Sequence, residues 1–462
     1  MPLRSLCYDL QFLTMPTPSL LIVPARFKSG KLYSQLPTSG AGDFTVTRAT
    51  NATRVNASGL IESVASGIPR LDYFASDGTV GCPALLVEPS AQNLVFHSSD
   101  WTSNWNGGSS SGTTVITNSA ISLAPDGTAT ANEIYPTSGN TFHVRASNST
   151  TAVTYVSGTV YTQSAFFKAG VGVGTRIQLT YTSARFSQNG YANFDLIAGT
   201  VLVVSGTTAD TNRAARIESY GNGWYRCSYS ATCTSAGTGV GVIPGLISAS
   251  GDTRNPSFSG TVTDYLLGWG AQLETGSVAT SYIPTTTAAV TRNADAIRVS
   301  GAVSGSIGQT VGTIYCEFAY FGRPSVQSGP IFLRETSLRG LSIGTAGVTN
   351  INFTSRNNAG STSLAIVTGS VQLNTYYKVA IAYDANGTAA GGSEVSGVVA
   401  YVNGVQTNIG TFRVPDGVLS EFRMFGAPAA SADTDPFNGR ILAAALYTTR
   451  LSNDELAALT SL

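Results

Sequence analysis

The sequence predicts an all-β protein: two β-sandwich domains preceded by an extended, strand-poor N-terminal anchoring module. Three observations carry this. Charged residues make up only 11% of the 462-residue chain, against ~25% in an ordinary globular protein. Glycine is abundant, with 50 residues, and Ser and Thr are common while Lys is scarce, a composition that suits short strands and tight turns. Period-two runs separated by Gly and Asn turns recur from Phe44 to Tyr447, the pattern of stacked antiparallel sheets.

In the first section, residues 1–92, "FTVTRA" alternates and "TRVNASGLIESV" predicts a hairpin turning at Asn56–Gly59. "GCPALLVEPSAQNLV" predicts a buried strand, Ala84 to Val87, stopped by Pro89. Little here could form a large core of its own, so the section is expected to wrap or dock. The second section, residues 93–290, carries "VTYVSGTVYTQSAFFKAG", "RIQLTYTSARF", "YANFDLIAGTVLVVSG", "ARIESYGNGWYRCSYSATC" and "TDYLLGWGAQLE", each a strand or hairpin. Asn222-Gly223 is its strongest turn signal. "TGSVATSYIP" is expected to follow the sandwich edge, with Tyr282 and Ile283 plugging one end, before a polar connector, Thr285 to Ala289.

The third section, residues 291–462, alternates in "VGTIYCEFAYFG" and "YYKVAIAYD". It predicts a hairpin tipped by Asn403-Gly404 and one helix, where Ser452 and Glu455 form a capping box before Leu456 and Leu459. Residues 1–27 hold Arg4, Asp9, Pro16 and Pro18, a poor signal peptide. Met15 offers an alternative start.

Lys+Arg and Asp+Glu are both 26, so no basic field draws nucleic acid or an anionic membrane. The longest early apolar runs fall far short of the ~20 residues of a membrane helix. The five cysteines are widely spaced and are expected to be isolated thiols; Cys227 and Cys233 would sit ~20 Å apart along one strand. With two histidines and no Cys-x-x-Cys pair, zinc has no support.

Taken together, "YYKVAIAYD", "VVAYVNGVQ" and "FNGRILAAALYTTRLSNDEL" make the third section resemble a concanavalin A-like lectin/laminin-G sandwich. "GNGWYRC" and "WGAQLETGSVATSYIPT" make the second resemble the carbohydrate-binding-module-like β-jelly roll of phage structural proteins, and "TRATNATRVNASGLIE" with "CPALLVEPSAQNL" is similar to the start of such proteins. The resemblance implies a virion protein of a tailed phage, a tail fibre, head fibre or spike. It would be anchored to other virion proteins through residues 1–92, bind a host surface glycan and act as a homo-oligomer, a trimer favoured because avidity multiplies weak sugar contacts. A structural capsid or collar decoration, or a polysaccharide-depolymerising tailspike, are the alternatives.

A hydrolase of polysaccharide needs two carboxylates flanking the sugar, and the acids here are isolated in sequence, so no enzyme is expected. Sugar binding needs an aromatic platform with amide or carboxylate partners. Trp101 and Trp105, with Asn104, either open the jelly roll or form that platform; Arg356, Asn357, Tyr383 and Asp384 are loop candidates in the third section. Asp433 and Asp435, in "SADTDPF", form an Asx-type turn or hold calcium; otherwise no cofactor is expected.

Overall fold

The computed structural model describes residues 15–461 except 76–78, 107–111, 188–189, 207–210, 323–328, 336–338, 347–349, 358–359, 368–370, 387–396, 411 and 425–436. The protein is all-β; the helix Asn453–Thr460 and two short 3-10 turns complete the described elements.

The middle section is a sandwich of two six-stranded antiparallel sheets. One is centred on Val160–Val171, which pairs with Tyr265–Thr275 on one side and Trp224–Thr232 on the other. Asn222 and Gly223, at φ 51° and 79°, turn the chain between Ala214–Ser219 and Trp224–Thr232, as an Asn-Gly type I′ hairpin requires. Tyr161, Ala165 and Phe167 point between the sheets, where Leu179, Phe194, Tyr229 and Leu273 meet them.

The third section is a sandwich of an eight-stranded and a nine-stranded sheet. Ile314, Cys316, Phe318 and Tyr320 face its core together with Tyr377, Val379, Ile381 and Tyr383, the faces that alternation assigns them. The capping box forms as expected: Ser452 accepts from the Glu455 amide while Glu455 accepts from Ser452. The helix lays Leu456 and Leu459 on the sheet's outer face, over Tyr315, Ala380 and Tyr401.

The first section is not a separate extended arm. Leu20–Ile22 and Val80–Val87 both pair with Gly439–Tyr447 in the eight-stranded sheet. Phe44–Thr47 pairs with Ala296–Ser300 in the nine-stranded one, and Leu20, Phe44, Leu71 and Leu85 belong to the third section's core. The physical reason is that these short strands cannot bury their apolar faces alone, and the third section offers free edges. Residues 20–87 and 295–460 thus share one sandwich, and the middle section is an insertion. The chain passes into and out of it along adjacent strands, Ala91–Asn93 pairing with Val290–Arg292. The boundary expected near residue 92 marks this crossing.

Cys227, Cys233 and Cys316 are buried thiols, whereas Cys82 is disulfide-bonded, a departure from the expectation of five isolated thiols.

Candidate functional site

The hairpin Ala52–Val55/Ile61–Val64 extends from the third section's sandwich and lies on the middle section's outer sheet face. Val55, Ile61 and Phe74 pack there against Phe166, Trp224, Trp269 and Tyr282, all buried. Each fully buried side chain of this size contributes about 1.5–3 kcal/mol. The run "LLGWGAQLE" is shaped for the purpose. Gly268 leaves room for Trp101, whose ring would lie 2.5 Å from a Cβ there. Gly270 sits at φ +62° beside the register shift opposite Ser164–Phe166, a glycine-permitted bulge. Between them Trp269 turns outward into the joint, donating its indole N–H to Thr130 Oγ1.

Under this apolar contact lies a buried ion network. Arg48 Nη1 is 2.9 Å from Asp295 Oδ1 and Arg70 Nη1 is 2.6 Å from Glu88 Oε2. Arg70 also pairs with Asp295, and Arg292 with Glu88. Ser281 donates to Glu88 through both its amide and its hydroxyl. Thr53 donates to the Tyr282 carbonyl. Burial alone would raise the Glu88 carboxyl, but Arg292 and Arg70, helped by Ser281, hold it at about 2. Nearby Glu274 is pushed up by burial, against the opposing hydrogen bonds of Thr280 and Gln272 and the charge of Arg226. Tyr282, expected to plug a sandwich end, instead bridges the two sandwiches, its hydroxyl bonded to Ser98.

Glu88, Asp295 and Asp72 are therefore each held by a guanidinium and buried. A cavity of about 60 Å³ beside them, lined by Asp72, Glu88, Glu218, Arg226 and Arg440, has room for a few waters, not for a sugar ring between two acids.

The predicted sugar platform does not form. Trp101 and Trp105 stack at 4.5 Å and 12° but are 0% and 4% exposed. Their indole N–H groups donate to the Ser98 and His97 carbonyls. The loop folds inward because two indoles gain more from the sandwich core than from water once both N–H groups have partners. Asn104 accepts from the Thr150 amide and pins the loop. Tyr383 is also in a core, 1% exposed, with its hydroxyl on the Gly308 carbonyl. Asp384 caps a turn by accepting from the Asn386 amide. Arg356 is exposed on its strand, and Asn357 donates to the Val414 carbonyl. The fold does not join these third-section residues to the Trp pair. Asp433 and Asp435, the calcium candidates, lie outside the described residues; among the described residues no cluster of metal ligands occurs.

Sequence reasoning missed Arg48, Arg70, Arg292 and Asp295 as a unit. One signal was available: charges are rare in this chain, yet Arg48 and Arg70 adjoin the strand-like runs "FTVT" and "LDYF" of the first section, and Arg292 and Asp295 lie just beyond the middle section.

On the outer side of the joint is a groove of about 370 Å³, within the ~300–1,000 Å³ of small-molecule sites. Thr50–Thr53 and Ser63 form one wall, Val290–Arg292 the other, and Tyr282–Pro284 the floor.

Residues 319–457 match the model of the concanavalin A-like lectin/glucanases superfamily. No curated protein sequence matches the chain. Among solved structures, the CBM40 of a Ruminococcus gnavus IT-sialidase, bound to α2,3-sialyllactose, aligns with 35% of this chain and 88% of its own. The identity is 17% and the TM-score 0.29. Domain 4 of AbnA, a GH43 extracellular arabinanase from Geobacillus stearothermophilus, in complex with arabinotriose, aligns over 40% and 82%, at 16% identity and TM-score 0.27. The binding domain of botulinum neurotoxin serotype C1 aligns over 36% and 40%, at 15% identity and TM-score 0.27. These likenesses are distant, and no residue is assigned from them. What is defined is an all-β protein whose residues 319–457 are similar to the concanavalin A-like lectin/glucanases superfamily.

Proposed function

We propose that this chain is a non-enzymatic, glycan-binding protein of a tailed-phage virion, displayed as a symmetric homo-oligomer, a trimer being the form that avidity favours. The lectin-type match over residues 319–457 carries the glycan-binding part. The virion assignment rests on the likeness of "TRATNATRVNASGLIE" and "WGAQLETGSVATSYIPT" to phage structural proteins. That these two stretches meet in one buried joint supports a stiff, load-tolerant appendage. A non-catalytic role is supported by the joint itself, where Glu88 and Asp295 are locked to arginines and cannot flank a substrate.

A glycan array probed with the purified chain tests the binding: signal on host-derived glycans is expected, and silence would favour a decoration protein. Release of reducing ends from host polysaccharide would instead make it a depolymerase. Labelling of intact phage particles and mass measurement in solution test the location and the oligomer; a strict monomer at micromolar concentration counts against a fibre.

A further inference from the structure

The geometry points to the groove between the hairpin and the strand Val290–Arg292 as a binding site for a neutral oligosaccharide of one to two sugar rings. This rests on the glycan-binding reading above and adds the place and the ligand class.

Three features carry it. First, the groove has the chemistry of a sugar surface. Asn51, Ser63 and Thr291 line it, are exposed, and make no side-chain hydrogen bond to other described residues. They alternate with apolar Ile283, Pro284 and Val290. A pyranose presents the same mixture of C–H and O–H, so its hydroxyls meet amide and hydroxyl groups while its ring covers apolar surface.

Second, the groove offers no charge. Its one ionic lining residue, Arg292, has a side chain 1% exposed and is committed to Glu88. A sialic or uronic acid would bring its carboxylate there without a partner, at a desolvation cost. A neutral glycan has no such cost.

Third, the walls are held before any ligand arrives. Arg48 Nε donates to the Thr50 carbonyl at 2.9 Å, and the Asn293 amide donates to Thr50 Oγ1 at 2.8 Å. The first wall is thereby anchored to the second and to the ion network, and Arg292 anchors the second from the opposite side. Little ordering is left for binding to pay, which favours weak, hydroxyl-rich ligands.

The test titrates the full chain with maltotriose, mannotriose and chitotriose, with sialyllactose as the charged control, by calorimetry and ligand-observed NMR. At least one neutral trisaccharide is expected to bind. Asn51→Ala combined with Thr291→Ala should weaken it about tenfold, the loss of two or so hydrogen bonds. Ser63→Trp, which fills the groove, should abolish it, with the melting temperature of both variants unchanged. Neutral binding that survives Ser63→Trp overturns this site and leaves the glycan-binding reading intact. Binding of sialyllactose alone overturns the neutral class and also leaves that reading intact. No binding to any of the four, together with a silent array, overturns both.

Discussion

Two sheets in this molecule turn an apolar face away from their own sandwich core, and each is covered by a different device. In the third section the outer face carries Tyr315, Ala380 and Tyr401, and the helix Asn453–Thr460 covers it with Leu456 and Leu459. In the middle section the outer face carries Phe166, Trp224 and Trp269, and a hairpin from another sandwich covers it, fixed by buried arginines and carboxylates. The helix follows its sheet's last strand by five residues, so chain connectivity puts it in place and greasy contact suffices. The hairpin lies more than 90 residues from the strands it covers. Apolar contact alone would leave its position loosely defined; ion pairs that tolerate only one geometry define it, at the risk that losing one partner strands a buried charge.

That contrast is open to direct attack. The largest effect is expected from Asp295→Ala, which leaves Arg48 and Arg70 buried without their shared partner and should cost about 4 kcal/mol. Urea denaturation checks this, and a loss below about 1 kcal/mol would show that the network does not hold the joint. Next, Leu456→Ala removes the helix's central contact and should cost about 3 kcal/mol by the same measurement. Unlike Asp295→Ala, it should leave the fluorescence of Trp224 and Trp269 in the joint unchanged, since its damage stays in the third section.

Acid should discriminate the two covers as well. Glu88 is held at about 2 against an ordinary 4.5, so its stabilisation is complete above the ordinary value and is lost as pH falls from about 4.5 towards 2. Glu274, raised by burial, acts with the opposite sign, gaining stability as acid neutralises it. The net expectation is a melting temperature that drops below pH 4.5 in the wild type and drops less steeply in Glu88→Gln, which lacks the titrating group. Equal slopes in both would remove Glu88 from the account. The smallest effect belongs to the helix cover: Ser452→Ala breaks the capping box and should cost about 1 kcal/mol, with no change in the joint.

Much of the fold was legible in residue order, because the signals are local. Asn222-Gly223 and Asn403-Gly404 both adopt the positive φ that their turns demand, and Ser452–Glu455 caps its helix. The alternation of Ile314, Cys316 and Phe318 gives their shared core face. The candidate site was much less legible. Trp101 and Trp105 sit among Asp, Ser and Asn, which suggests an exposed loop, but their burial depends on Gly268, more than 160 residues away, leaving space for the indole. Thr50, Asn51, Thr291 and Pro284 look like unremarkable connector residues until the hairpin and the insertion's two crossing strands lie side by side.

By itself the sequence determined the class of structure and the places where the chain turns, since strand periodicity, glycine tolerance of positive φ and helix capping all act within a few residues. Only the tertiary structure decided that the first section completes the third section's sheets, that residues 47–62 and 269–285 meet in one joint, and that a groove opens beside it. Strand pairing and buried ion pairs depend on which distant edges and charges can be satisfied together, and that is a property of the whole packed chain.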